Sequence, residues 1–371
     1  MLHSQKQVFS LIRFIRFPLM VMVVMIHAHF SSISIQGIDY KFTLEAYPVY
    51  NNISYFISEI LSRIAVPIFY IVSGYLFFSN VYHYNTNEYL QKIKRRFRTL
   101  VIPYVFWNLI VLVLYFIAQE VIPSFTSGQN KLIVDYNLRD CLTAFWAFNG
   151  TWMPICYQLW FIRDLFVAIL LSPVIYYAVK TINLYYIGTV GILWLLNFRF
   201  GIIGLNITAI CFFSIGAMVS INNYTLPHIL AKARVSSYAV SLLLVTLEMV
   251  LFNMNRFFSI SSTLLGVLYH ACLFSLILAC LTFLIDMQQK KNLNTSAFLH
   301  DSNFFIYAFH AMPLTMILKL LVKYIRPTHD IQALFIYFMA PILTILLGLL
   351  IFAILRKMFP KFTALITGSR V

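Results

Sequence analysis

Apolar windows of about 20 residues, the length a helix needs to cross a bilayer, recur along this chain from one end to the other. Their cores lie near residues 10–30, 54–79, 99–118, 157–179, 183–199, 202–221, 235–254, 261–285, 303–322 and 331–355. The side-chain balance agrees. Hydrophobic residues make up 61% of the chain and charged residues 11%, against about 45–50% and 25% in a soluble domain. The windows predict an all-α, polytopic transmembrane bundle of about ten helices, with residues 1–371 forming one transmembrane domain and no stretch left for a separate soluble one. The pair at 183–221 reads equally as a re-entrant hairpin, because only Asn197 to Gly201 separates its halves.

A net charge of +15 would point to nucleic acid in a soluble protein, but here the cations sit between apolar windows. Placing the N-terminus inside collects Lys6, Arg13, Arg16, the run from Lys92 to Arg98, Lys180, Lys232, Arg234, Lys290, Lys291, Arg356, Lys357, Lys361 and Arg370 on the cytoplasmic side. The positive-inside rule and the even helix count then put both termini in the cytoplasm. The first apolar run passes into His27 and His29 with no small-residue cleavage site, so it reads as a span, not a removable signal. Cys141, Cys156, Cys211, Cys272 and Cys280 have no metal-ligand spacing, and only Cys141 and Cys156 could meet in one external segment. The two longest outer segments, 31–53 and 119–156, could cap a cavity. Asp135, Asp140, Trp146 and Trp152 lie in the second, where the tryptophans also fit an interfacial aromatic belt.

Ionisable side chains inside a span are costly unless they face a partner or a cavity, which makes each a candidate site residue. Arg16 and His27 are 11 residues apart. At 100° per residue that spacing returns almost to the same helix face, about 16 Å along the axis, whereas His29 points nearly the opposite way. The alternative is that Arg16 snorkels to lipid phosphates and His27 merely sits at the interface. In the second window Glu59 and Arg63 have ion-pair spacing, as a structural clamp or as site residues. Ser73, Gly74 and Tyr75 follow, and Gly74 also suits close helix packing. Five cations between Lys92 and Arg98 form either a lipid-facing flank or, through Arg95 and Arg98 one turn apart, a grip for phosphates. Trp160, Arg163 and Asp164 open the fourth span, His310 lies in the ninth, and Glu248 has no sequence-local partner. No P-loop, dinucleotide-binding glycine pattern, zinc-protease helix or nucleophile elbow is present.

Taken in order, these islands resemble the acyltransferase-3 family of integral membrane O-acyltransferases. The resemblance runs from Arg16 and His27 through Arg63–Phe69, Ser73–Leu76, Arg95–Arg98, Pro103-Tyr104 and Leu159–Phe161 to Tyr307–His310, nearly the whole chain. It implies a cytoplasmic acyl-coenzyme A donor, usually acetyl-CoA, and an acceptor hydroxyl on a cell-surface polysaccharide or lipid-linked sugar, in a bacterial cytoplasmic membrane. It also implies that Arg16 and His27 match the family's Arg-x10-His pair, and Arg95 with Arg98 its Arg-x-x-Arg motif. Ser73-Gly74-Tyr75 departs mildly from the family's Ser-Gly-Phe. On this reading Arg95 and Arg98 hold the coenzyme phosphates, Arg16 lines the same path, and His27 serves as general base or as transient acyl carrier. No metal takes part. The rival classes are a transporter or flippase of a lipid-linked glycan, whose charges would line a substrate path, and a glycan polymerase, which would lean on larger outer loops.

Overall fold

The computed structural model describes residues 2–35, 37–79, 81, 85–121, 131–224, 234–254, 261–290, 293 and 295–368, with side chains from residue 8 onward. Of the cations used above to orient the chain, Lys232, Lys291, Arg370 and the Lys6 side chain lie outside the described residues. The described residues form fourteen helices. In chain order they are α1 (Leu2–Ile26), α2 (Pro48–Phe78), α3 (Thr86–Val121), α4 (Leu138–Ala144), α5 (Trp160–Leu170), α6 (Ser172–Thr181) and α7 (Leu184–Leu195). There follow α8 (Ile207–Ile221), α9 (Arg234–Met254), α10 (Ser262–Lys290), α11 (Ala297–Phe309), α12 (Ala311–Ile325), α13 (Asp330–Met358) and α14 (Pro360–Thr367).

Each apolar window holds a helix, but not every one holds a full span. Six helices, α1, α2, α3, α9, α10 and α13, are long and apolar enough to cross a membrane, and two bent pairs bring the number to at most eight. The chain is thus a multi-pass helical membrane protein. The helices α7 and α8 have 12 and 15 residues, or about 18 and 22 Å at 1.5 Å per residue, short of a 30 Å hydrocarbon layer. The expected ten spans therefore resolve into six long helices, two bent pairs and two short helices.

Prolines account for where the helices bend. A proline cannot donate to the carbonyl four residues back and its ring crowds that carbonyl. The 59° bend between α5 and α6 lies just before Pro173, and the 70° bend between α11 and α12 just before Pro313. Wide and tight turns within α2 (Tyr55–Leu61, then Ser62–Ile64) precede Pro67, and the wide turn Phe97–Val101 in α3 precedes Pro103. Pro18 and Pro341 sit in helices that stay continuous.

Helix α8, although short, lies at the centre of the bundle against α2, with Phe212 and Phe213 fully buried. Two glycines allow this approach. A Cβ on Gly74 would overlap the carbonyl of Phe213, and one on Gly216 would overlap the carbonyl of Ile71. Gly74 is therefore a helix-contact residue, in line with the tendency of transmembrane interfaces to use small residues.

The segment 31–53 is not a loose loop, and it carries the one departure from an all-α chain among the described residues. A two-stranded antiparallel hairpin pairs Ser32–Ile35 with Ile38–Lys41, turning at Gly37 with φ +82°. Buried Tyr50 ties this segment to the bundle: its hydroxyl donates to the Phe30 carbonyl at 2.8 Å, and its amide donates to Asp330 Oδ1 at 2.7 Å. All five cysteines are free thiols, Cys141 and Cys156 included.

Candidate active site

Two helices set the geometry. Helices α1 and α11 run side by side, with a side-chain contact near each end. At one end Arg16 Nη1 donates to His300 Nε2 at 3.2 Å. That bond requires the His300 proton on Nδ1, which lies 3.1 Å from Asp301 Oδ1, while Arg356 reaches Asp301 Oδ2 at 3.3 Å. At the other end the rings of His27 and His310 have centroids 5.4 Å apart. The two contacts are 11 residues apart on α1 and 10 on α11, so the helices run in parallel and the two sites stand about 15–16 Å apart.

Between the two contacts lies a cavity of about 150 Å³, lined on α1 by Arg16, Met20 and Val23. These residues occupy one helical stripe, spaced by four and three, and the next position on that stripe is His27. On α11 the lining residues are His300, Asn303, Phe304 and Tyr307, and His310 follows one turn after the last of them. On both helices the cavity thus stops one turn short of the histidine. Phe161 and Tyr307, with ring centroids 6.2 Å apart, also line this cavity.

A second cavity, of about 410 Å³, adjoins the first, sharing Leu76 and Arg96 as lining residues. Its α3 wall is Lys92, Arg95, Arg96 and Thr99, one face of the helix, with Glu88 one turn earlier. The structure brings Arg95 to this wall and leaves Arg98 exposed, lining neither cavity. Sequence reasoning passed over Arg96, His300 and Asn303. Arg96 stood in the basic run but outside the Arg-x-x-Arg spacing, and the signal for His300 was its adjacency to Asp301 at the edge of an apolar window.

His27 follows the last turn of α1, its amide donating to the Val24 carbonyl at 3.1 Å. Its ring meets Tyr157 edge-on at 5.2 Å. His29, beyond the end of α1, faces elsewhere, with Nδ1 2.9 Å from Ser54 Oγ. His310 is fully buried at the α11–α12 bend.

The remaining candidates divide. Ser73 lines the first cavity, whereas Gly74, one residue on, faces α8, and Tyr75 is half-buried. Glu59 in the wide turn of α2 and Arg63 in the tight turn after it form the expected ion pair at 2.6 Å, outside both cavities. Trp160 packs half-buried against the main core. Arg163 and Asp164 pair at 2.8 Å with 4% and 3% side-chain exposure and line neither cavity. They hold the loop that carries Trp146 and Trp152 instead. Arg163 donates to the carbonyls of Trp146 at 2.6 Å and Trp152 at 3.1 Å, and Asn206 donates to Asp164 at 3.0 Å. Asp140 serves the same loop by capping α4 with Asn137, and the Lys131 ammonium beside it holds its carboxyl below the usual range. Glu248 is buried with Oε1 unpartnered among the described residues, away from both cavities.

Asp164→Ala leaves the Arg163 guanidinium buried without its carboxylate, which costs about 3–5 kcal/mol. The expected result is a lower thermal midpoint for the purified protein in detergent, with Asp164→Asn closer to wild type because it still accepts from Asn206. An unchanged midpoint in Asp164→Ala would show that the pair does not brace the loop.

A family model described as an acyltransferase domain matches residues 10–355 of this chain. Among curated proteins, succinoglycan biosynthesis protein ExoH of Rhizobium meliloti (strain 1021) is 31% identical over 120 residues. That match spans 32% of this chain and 31% of the relative, so the two are alike over about a third of their lengths. No solved structure matches.

Proposed function

From the premise that this chain belongs to the acyltransferase-3 family, whose model spans residues 10–355, we propose that it transfers an acyl group, acetyl in the first instance, from cytoplasmic acyl-coenzyme A to a sugar hydroxyl of a cell-surface polysaccharide or glycolipid. The observation that carries this reading is the stripe Arg16, Met20, Val23, His27, which leads from a cation-lined cavity to a histidine one turn beyond its end. The short match to a protein of succinoglycan biosynthesis supports a glycan acceptor.

In this reading Lys92, Arg95 and Arg96 receive the coenzyme phosphates in the larger cavity. The acyl-pantetheine arm enters the smaller cavity past Arg16. His27, as neutral imidazole, takes the proton of the acceptor hydroxyl as its oxygen attacks the thioester carbonyl; the carbon–sulfur bond breaks, and the proton goes on to the coenzyme thiolate. Ten helical segments with both termini in the cytoplasm of a bacterial inner membrane would put the basic cavity inside and His27 near the outer face. The contact of Arg16 with His300, itself held by Asp301, fixes the guanidinium on the wall of the smaller cavity.

The experiment is incubation of purified protein in detergent or nanodiscs with radiolabelled acetyl-coenzyme A and a candidate glycan. Free coenzyme A and labelled glycan are the expected products. A protein that moves a lipid-linked glycan across vesicles but releases no coenzyme A would be a transporter instead.

For the donor site, Arg95→Ala and Arg96→Ala should each weaken acetyl-coenzyme A binding by about tenfold to a hundredfold, the loss of one charge-assisted contact of about 1.5–3 kcal/mol. Arg98→Ala should weaken it least. Calorimetry that found equal affinities in all three variants and wild type would return this cluster to lipid anchoring.

A further inference from the structure

Outside the two cavities, the buried polar atom with the most direct line to the proposed chemistry is Nε2 of His310. It has no hydrogen-bond partner among the described residues, and the residue is 0% exposed. Nδ1 of the same ring lies 2.7 Å from the Tyr307 carbonyl. A carbonyl oxygen only accepts, so Nδ1 carries the proton and Nε2 of the neutral ring presents a bare lone pair. A lone pair left unmet in a dry interior is costly and calls for a reason.

Its neighbour supplies one. The His27 ring stands 5.4 Å away by centroid, tilted 32°, and makes no hydrogen bond among the described residues. Neither ring has a carboxylate bonded to it among the described residues, and Tyr157, the other ring against His27, makes no hydrogen bond to it there. The backbone holds His310 at its station: the 70° bend before Pro313 turns α12 away, and the Tyr307 carbonyl pins the ring.

We propose that His310 is the positioning residue for His27: as the acceptor binds, the His27 ring turns one N–H onto the unmet Nε2 of His310, so that the other His27 nitrogen presents its lone pair to the acceptor hydroxyl. This rests on the acyltransferase reading above and deepens it. A base whose tautomer is set by a third group is the general logic of hydrolytic triads, in which a carboxylate usually fills the third place. Here a neutral imidazole fills it. When His27 accepts the hydroxyl proton, the bond to His310 shortens and helps carry the imidazolium charge, and the proton then leaves with the coenzyme thiolate. His310 gains and loses no proton overall.

The test separates orientation of His27 from a merely structural role at the helix bend. His310→Gln can place an accepting oxygen near the position of Nε2, whereas His310→Asn reaches only the position of Nδ1 and keeps the bond to Tyr307. His310→Leu keeps neither. Coenzyme A release is measured for each variant at equal membrane abundance, with acetyl-coenzyme A affinity determined in parallel. The expected result is a kcat lowered on the order of a hundredfold in Asn and Leu, with Gln recovering most of it and the donor KM unchanged throughout. Wild-type kcat in His310→Leu, or recovery by Asn and not by Gln, would overturn the proposal. Poor folding of the Leu variant leaves the Gln and Asn comparison to decide. A wild-type protein that releases no coenzyme A would instead defeat the acyltransferase reading itself.

Discussion

His27→Ala is expected to lower acyl transfer by about 10²- to 10⁴-fold, the span that a positioned acid–base group contributes, at unchanged abundance in the membrane. The ring follows the last turn of α1 and makes no hydrogen bond among the described residues, so truncation removes its contacts with Tyr157 and His310 and breaks no polar network. Donor affinity should stay near wild type, because neither cavity is lined by His27. The loss would thus appear in kcat. His27→Ala that O-acylated at the wild-type rate, at matched abundance, would remove the imidazole from the mechanism and with it the role given to His310.

The second large effect acts on folding. Gly74→Val is expected to leave little folded protein, since the added Cβ would overlap the Phe213 carbonyl, and backbone cannot swing aside as a flexible side chain can. Overpacking a tight core costs about 1–3 kcal/mol where neighbours can shift, and here α2 and α8 must separate along their shared length. Ser73→Ala, one residue away, should fold normally, because Ser73 faces the cavity. Size-exclusion profiles and thermal midpoints in detergent decide the matter. A monodisperse Gly74→Val of wild-type midpoint would show that α2 and α8 do not depend on this close approach. The contrast matters for the Ser73-Gly74-Tyr75 island, where one residue borders the cavity and its neighbour holds the helices together.

Much of this architecture was legible in the sequence. Twenty-residue apolar windows located the helical segments, because hydrocarbon forces the backbone to satisfy itself. The 100° rotation per residue put Arg16, Met20 and Val23 on one face of α1, with His27 directly past its end, and the Glu59–Arg63 spacing became an ion pair. The bends before Pro173 and Pro313 were not legible, since Pro18 and Pro341 sit in helices that stay continuous. The hairpin at 32–41 was not, since its four-residue strands are held by Tyr50 and its distant partners. Asp164 read as a site residue because a charge in a span looks the same whether it faces a cavity or clamps a loop. Only its partners, Arg163 and Asn206, distinguish the two.

The sequence alone determined which side chains share a helix face, because the helical period is a property of the local backbone. It set the stripe Arg16, Met20, Val23, His27 and the stripe Lys92, Arg95, Arg96, Thr99. Which faces meet was decided by tertiary packing alone. Arg16 finds His300 across 284 residues of chain, His27 finds His310 at a helix bend, and Arg96, not Arg98, joins the two cavities. Between helices in lipid, apolar surfaces are nearly interchangeable, so contact is chosen by fit at small residues such as Gly74 and Gly216 and by the pairing of the few polar groups.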